Sequence, residues 1–349
     1  MSEARLEKRL LHPGPAPGHG GDLADAAALL DVGDAAHAGD WLDLSTGIAP
    51  TSYPLPEIPQ EAWSRLPGRT EMDGLVAAAC DYYGAPGPDH VIAGPGSQAI
   101  IERLPGLFPP QEVAVVSPTY GGHGPAWTRA GHHVRHIPNM RKSEIGGVTI
   151  LVNPNNPDGR TVSYEALEET CAQCTDAGGW LIVDEAFGDC ALPSGVAALC
   201  QSRNVIALRS LGKFFGLAGL RLGFAVAPPT MATQLRAVLG DWPISGPAIA
   251  VGTRALRDTA WQGEQRQRLA TATKRLDAAL RQAGLEICGG TSLFRLVETR
   301  HAPRLFAHLL RHRIYVRSFD YNPDWLRIGI PGGEIDFDRL EAALQSFDT

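Results

Sequence analysis

The chain has 349 residues, 44% hydrophobic and 20% charged, enough apolar material for one large and one small domain with buried cores. Its formal net charge of -7 gives no general attraction to nucleic acid or to an anionic membrane surface, so an anionic ligand must be met by individually placed residues. No run reaches the length of a membrane span and the opening MSEARLEKRLLHPGPAPGHGG lacks an apolar leader, so the expected location is cytoplasmic.

The first forty or so residues, rich in Pro, Gly and Ala, read as an arm that packs on another part of the structure. Further on, elements alternate. HVIAG reads as a strand, SQAIIERLPGLF as a helix, EVAVVSP as a strand, GGHGPAWTRAG as a helix and HVRHIP as a strand. His123, His132, His133 and His136 crowd this region without a metal-binding pattern and read as packing or surface residues. VTILVN then leads into the turn-rich PNNPDG and the helix SYEALEETCAQCTDAG, with Ser163 as its N-cap and Glu165 in its first turn. Cys171 and Cys174 form a CxxC in that helix, but no second Cys or His pair stands at ligand spacing, so they read as packing thiols and no metal site is expected.

The strands WLIVDEAF, NVIALRS and LGFAVA follow. Several of these runs are apolar without alternation, which requires burial on both faces and hence a mainly parallel sheet between helix layers. From about Met231 the texture changes to Arg-, Gln- and Ala-rich helical segments. These open a smaller α+β domain containing the strands SLFRLVE, IYVRSF and WLRIGIP and the helix APRLFAHLLRH. The expected division is an arm over residues 1–45, a large domain over 46–250 and a small domain over 251–349.

In a wound α/β sheet, ligands bind beyond the carboxyl ends of the strands, and three polar residues fall there in order: Asn156, Asp184 and Lys213. An amide, a buried carboxylate and a lysine suit a cationic heteroaromatic ring attached through an aldehyde. Asp184 would keep a pyridine nitrogen protonated, Asn156 would donate to a ring oxygen, and Lys213 would form an imine. AGPGSQAI places Gly94, Gly96, Ser97 and Gln98 at a strand-to-helix turn suited to a phosphate, to which Ser210 adds a hydroxyl and Arg221 a planar fork. Tyr120, in SPTYGG, could lay its ring over such a ligand. The rival is a dinucleotide site. GPGSQA does not complete GxGxxG, and no acidic residue closes EVAVVSP to hold a ribose.

NPNNPDG, VDEAF and SLGKFFGLAGLRLG resemble, in order and context, the signature of the fold-type I pyridoxal-phosphate enzymes near their histidinol-phosphate aminotransferase branch, over most of the chain. The resemblance implies the aspartate aminotransferase-like α/β fold, with a mainly parallel seven-stranded sheet between helices and a smaller α+β domain. It implies pyridoxal 5'-phosphate as cofactor, Lys213 as its attachment point, and contacts from Gly96, Ser97, Gln98, Tyr120, Asn156, Asp184, Ser210 and Arg221. It further implies a homodimer with shared sites, in which the YP at Tyr53 and Pro54 resembles the segment that reaches the neighbour's cofactor phosphate.

One cofactor of this kind runs several reactions, and the choice depends on how the substrate carboxylate is held. By the resemblance, Arg327 in WLRIGIP aligns with a carboxylate-binding arginine, and Arg317 in IYVRSF with one that meets a substrate phosphate. GHGGDLADAAALL and WLDLSTGIAPTSYPLP resemble the opening of the threonine-phosphate decarboxylases of cobalamin biosynthesis, which makes His19, Gly20 and Gly47 substrate contacts alongside Asn156. The implied activity is decarboxylation of L-threonine O-3-phosphate to (R)-1-amino-2-propanol O-2-phosphate. A histidinol-phosphate-type aminotransferase and a noncatalytic cofactor-binding protein stay open. Two departures from the family pattern stand out: Phe187 where many aminotransferases carry Tyr, and Ala49 where the turn usually has Asn.

Overall fold

The computed structural model describes residues 20–30, 40–140, 147–190 and 195–348. Its elements open with α1 (Leu23–Leu30), β1 (Leu42–Asp43), α2 (Gln60–Ser64), α3 (Arg69–Tyr83), β2 (Val91–Gly94), α4 (Ser97–Arg103), β3 (Glu112–Val116), α5 (His123–Arg129) and β4 (His133–Ile137). The middle holds β5 (Val148–Val152), α6 (Tyr164–Asp176), β6 (Trp180–Asp184), β7 (Val205–Ser210), β8 (Gly223–Val226), α7 (Pro229–Leu239), α8 (Gly246–Arg257) and α9 (Thr259–Gln282). The end holds β9 (Glu286–Thr291), β10 (Phe294–Glu298), α10 (Ala302–Arg311), β11 (Ile314–Tyr315), β12 (Arg317–Ser318), β13 (Trp325–Gly329) and α11 (Glu334–Gln345). Among these residues one compact unit comprises 52–264 and the other 20–51 with 265–348. The divisions fall at 51/52 and 264/265, later than the expected 45/46 and 250/251. The second moves because α8 packs along α3 and stays with the larger unit.

The unit of 52–264 is built on a seven-stranded sheet in the order β2-β8-β7-β6-β5-β3-β4. The ladders from β7 across to β4 are parallel, and β8 alone runs against both its neighbours. β5, β7 and β8 are buried from end to end, as their mainly apolar runs require, with Arg209 and Ser210 closing β7. One core packs Ile92, Ile100, Val115, Trp127, Ile150, Ile182 and Leu208 under Met231 and Leu235 of α7, each side chain worth about 1.5–3 kcal/mol on burial. β6 ends at Asp184, earlier than WLIVDEAF suggests, because the Asp184 carboxylate accepts the Ala186 N–H at 3.0 Å and turns the chain. Ser163 caps α6 as expected, its hydroxyl accepting from Ala166 N–H.

In the other unit an antiparallel sheet runs β12-β13-β10-β9, beside a parallel pair of β1 and β11. The expected strand IYVRSF is two short ones that break at Val316. α10 buries Leu305, Phe306, Leu309 and Leu310 on one face against Phe337, Leu340 and Leu344 of α11, within one core that also holds Leu42 and Leu44. Gly329 donates to the Leu44 carbonyl at 2.7 Å, and a Cβ there would stand 2.9 Å from that oxygen, so the contact demands glycine. Among the described residues, no helix is long and apolar enough to cross a membrane.

Candidate active site

Parallel pairing puts the carboxyl ends of β3, β5, β6 and β7 along one edge of the sheet. β2, two reversals from β7, ends on the same edge. Across that edge Gly94 pairs with Gly223 and Gly223 with Ser210, while Asp184 sits opposite Val152 and Leu208. The register thus gathers two groups of polar residues separated by well over a hundred positions in sequence.

The first group suits a phosphate. Gly96 has φ +84°, a left-handed geometry that lets the chain turn from β2 into α4 and present the Ser97 N–H. Arg221, itself left-handed at φ 54°, lays its guanidinium against this turn and is braced by Nη1 donating to the Ala218 carbonyl at 3.1 Å. A Cβ on Gly96 would stand 2.7 Å from Arg221 Nη2, so the missing side chain is what admits the fork. A Cβ on Gly223 would likewise collide with the Ser97 nitrogen. Ser210, nearly buried, adds its hydroxyl, fixed by the Gly212 N–H at 3.2 Å.

The second group suits an aromatic ring with a basic nitrogen. Asp184 is 3% exposed, and its Oδ2 accepts from Nε2 of His123 at 2.9 Å. A carboxylate facing Nε2 selects the form of the imidazole that carries a proton there. His123 opens α5 with its ring edge-on to Tyr120, centroids 5.9 Å apart. Tyr120 donates to Oε1 of Gln98 at 2.8 Å, and Gln98 in turn donates to Glu102. Burial, aided by Asp184, pushes the Tyr120 phenol up to about 12, so it stays a neutral donor. In NPNNPDG, Asn153 exchanges two hydrogen bonds with Val162, and Asn155 bonds Thr119, Asp158 and the Pro118 carbonyl. These two amides hold the turn on which half-buried Asn156 is mounted. Lys213 Nζ lies 5.6 Å from the centre of the buried Phe187 ring, on a segment pinned by the buried Leu211, Phe214 and Phe215.

On β7, the residue before Ser210 is Arg209, 1% exposed and paired with Glu185 at 3.0 Å and Asp189 at 3.3 Å, its guanidinium 4.9 Å from the Tyr83 ring centre. Successive strand residues point to opposite faces, so this ion cluster backs the strand whose other face carries Ser210. Burial raises the Glu185 carboxyl pKa, with Arg209 drawing it back down.

The arginines expected in the smaller unit are direct cross-strand partners: Arg317 on β12 stands opposite Arg327 on β13. Arg327 is 5% exposed, and burial, with Arg317 alongside, pushes its pKa well below the usual guanidinium range, to about 10. Two adjacent cations, one buried, make a site where bound anions relieve charge repulsion. Arg327 Nη2 donates to the Ser45 carbonyl at 2.5 Å. Gly20 packs against the same Ser45, and Gly47 adopts φ +63°, a turn that needs glycine. His19 lies outside the described residues.

Tyr53 is held beside the Lys213 segment, its N–H donating to the Phe215 carbonyl at 2.8 Å. Its phenol donates to Asp258 Oδ2 at 3.2 Å and its ring meets Trp261 edge-on, so the hydroxyl is engaged inside its own unit. Cys171 and Cys174 are both buried in α6, with thiols pushed up to about 11 by burial. His132 packs edge-on against Trp127 and bonds the Pro105 carbonyl, as a packing residue should. The packing assignment of His123 needs correction: it is the partner of Asp184. Its partner lies 61 positions away, and the one local signal is its place at the start of α5, just past Tyr120.

A family model described as aminotransferase class I and II matches residues 63–346. A threonine-phosphate decarboxylase of Pseudomonas aeruginosa is 46% identical over 333 residues, 94% of this chain and 97% of that protein. A histidinol-phosphate aminotransferase of Synechocystis sp. is 29% identical over 90% of this chain and 94% of its own length. The same fold occurs in the crystal structure of histidinol-phosphate aminotransferase from Sinorhizobium meliloti in complex with pyridoxal-5'-phosphate, with a TM-score of 0.78, 18% identity, and coverage of 96% of this chain and 95% of that one.

Proposed function

The chain belongs to the class I and II aminotransferase family, and from that premise we propose that it is a pyridoxal-phosphate enzyme that decarboxylates L-threonine O-3-phosphate to (R)-1-amino-2-propanol O-2-phosphate. The observation that carries the reading is the cross-strand pair of Arg317 and buried Arg327, a dication suited to a small substrate with an anion at each end. The 46% identity to a threonine-phosphate decarboxylase over nearly the whole chain supports it, against 29% to a histidinol-phosphate aminotransferase.

The residues present fit the cofactor: a glycine-cleared turn with Arg221 and Ser210 for its phosphate, and a buried carboxylate for its ring nitrogen. When bound, pyridoxal phosphate supplies a protonated conjugated ring that accepts the electron pair of a broken Cα bond. Ser97, Ser210 and Arg221 would hold the phosphate, Asn156 the ring oxygen and Tyr120 the ring face. Asp184, aimed by His123, would keep the proton on the ring nitrogen, and Lys213 would carry the aldehyde carbon. Arg327 would take the substrate carboxylate and Arg317 its phosphate. As the bond from Cα to the carboxylate breaks, its electron pair stays on the Cα side and carbon dioxide leaves. Lys213 Nζ, freed once the substrate amine takes its place on the aldehyde carbon, would then deliver a proton to Cα.

The proposal includes a cytoplasmic homodimer working in cobalamin biosynthesis. Exposed Leu55, Trp63, Leu66 and Trp242 in the larger unit support self-association. The deciding experiment incubates the cofactor-loaded protein with L-threonine O-3-phosphate and scores carbon dioxide against keto acid. Carbon dioxide supports the proposal. Keto acid from histidinol phosphate with 2-oxoglutarate, and no carbon dioxide, makes the protein an aminotransferase.

A further inference from the structure

Ser45 is 0% exposed, and every polar group on it is committed. Its carbonyl accepts from Arg327 Nη2 at 2.5 Å. Its hydroxyl donates to Asp43 Oδ1 at 2.6 Å and accepts the Gly21 N–H at 2.8 Å, and its own N–H donates to that same Asp43 oxygen at 2.8 Å. Gly20 completes the node. A Cβ there would stand 2.5 Å from the Ser45 carbonyl oxygen and 2.7 Å from its hydroxyl, so the bare backbone of Gly20 closes over the atom that holds Arg327.

From this geometry we infer that Ser45 is a positioning residue for Arg327, and that Gly20 and Gly21 influence substrate affinity through it. The inference rests on the reading that Arg327 binds the substrate carboxylate. A buried guanidinium whose charge is opposed by burial and by Arg317 gains most from an acceptor held at a fixed point, and the Ser45 carbonyl is that acceptor. Asp43 fixes the carbonyl's direction by gripping the Ser45 N–H and hydroxyl together. The Gly20–Gly21 segment adds a second grip, the Gly21 N–H on the Ser45 hydroxyl and the Gly20 backbone close against the carbonyl. Loosening either grip moves the carbonyl and with it the fork that must meet a carboxylate at hydrogen-bond precision.

The test is a double-mutant cycle on the holoenzyme, read as the dissociation constant of L-threonine O-3-phosphate by calorimetry and as KM and kcat. Ser45→Ala and Gly20→Ala are each expected to weaken binding about tenfold, the order of one disturbed hydrogen bond to a charged group, with a smaller change in kcat. In an Arg327→Gln background neither substitution should add anything. Thermal unfolding of each variant identifies any that fails to fold, and Gly20→Ala keeps all the Ser45 chemistry in place should Ser45→Ala be the one that fails. Weakening that persists undiminished beside Arg327→Gln overturns the inference, because the two residues then act on the ligand independently. Binding without release of carbon dioxide would sink the proposed reaction and leave the cycle readable. Absence of binding to the parent overturns both.

Discussion

His123 Nε2 stands 2.9 Å from Asp184 Oδ2, with both side chains buried. A buried carboxylate that must keep a proton on a ligand's nitrogen works only if its own direction is fixed. Here one oxygen is held by His123 and the other by the Ala186 N–H. Replacing His123 with Phe keeps a ring at the start of α5 but removes a charge-assisted donor worth roughly 1.5–3 kcal/mol. The expected result is a fall in kcat of about ten- to a hundredfold with cofactor still bound, measured by turnover and absorbance on the same sample. An unchanged kcat would remove His123 from the site.

Gly96→Ala tests the phosphate cradle. The substitution places a methyl group against Arg221 Nη2 and forces alanine into φ +84°, a conformation costing roughly 1–2 kcal/mol for a residue with a Cβ. Displacing the fork should raise the pyridoxal phosphate concentration needed for half-saturation by about tenfold or more. A cofactor titration of the apoprotein measures it, and an unchanged midpoint would place the phosphate elsewhere.

Arg209→Met leaves Glu185 and Asp189 buried without the cation between them, and is expected to cost about 3–5 kcal/mol of stability at neutral pH. The deficit should depend on pH. Burial already raises the Glu185 pKa above its usual 4.5, so this carboxyl favours folding below that value and loses the contribution as pH rises through the raised folded pKa. Removing Arg209 raises it further. Urea midpoints of variant and parent should therefore approach each other as the pH falls from about 8 to about 5. A constant gap would mean that the lost contribution is packing rather than charge.

The paired arginines separate two ends of one substrate. Arg317→Gln should raise KM for L-threonine O-3-phosphate while leaving weak binding of unphosphorylated L-threonine unaffected. Arg327→Gln should weaken both. Each loss should be on the order of tenfold or more, as for removal of one charge-assisted contact. Equal effects of Arg317→Gln on both amino acids would reject its phosphate role.

What could be read from the chain and what could not divide along physical lines. Asp184, Ser210 and Lys213 were legible because each closes or follows a short apolar run, and a parallel sheet brings such ends to one edge. The reversal of β8 was not, since LGFAVA is buried on both faces and carries no alternation to mark its direction or neighbours. His123 escaped because its role depends on a partner set by sheet register. β9 was hidden by the glycine pair in EICGGT, which interrupts the apolar pattern. α11 is an unexpected element, although Phe337, Leu340 and Leu344 recur at helical spacing and are buried in it. Arg317 and Arg327 were legible individually, but their direct pairing required the β12–β13 register.

Phe187 is the departure with the sharpest spectroscopic consequence. It is buried, and its ring centre lies 5.6 Å from Lys213 Nζ, a geometry in which the ring face favours a positive charge on that nitrogen. A tyrosine here would add a phenol able to donate to a ring oxygen of the cofactor, stabilising negative charge there and reducing the advantage of a proton on the Lys213 nitrogen. Phe187→Tyr should therefore lower the pH midpoint at which the bound cofactor's absorbance changes, with the parent holding its Lys213 proton to higher pH. Titrating the absorbance of both holoenzymes measures the shift. A midpoint that stays in place or rises in the variant would mean that the phenol does not reach the cofactor oxygen, and that the proton on Lys213 is governed by other groups.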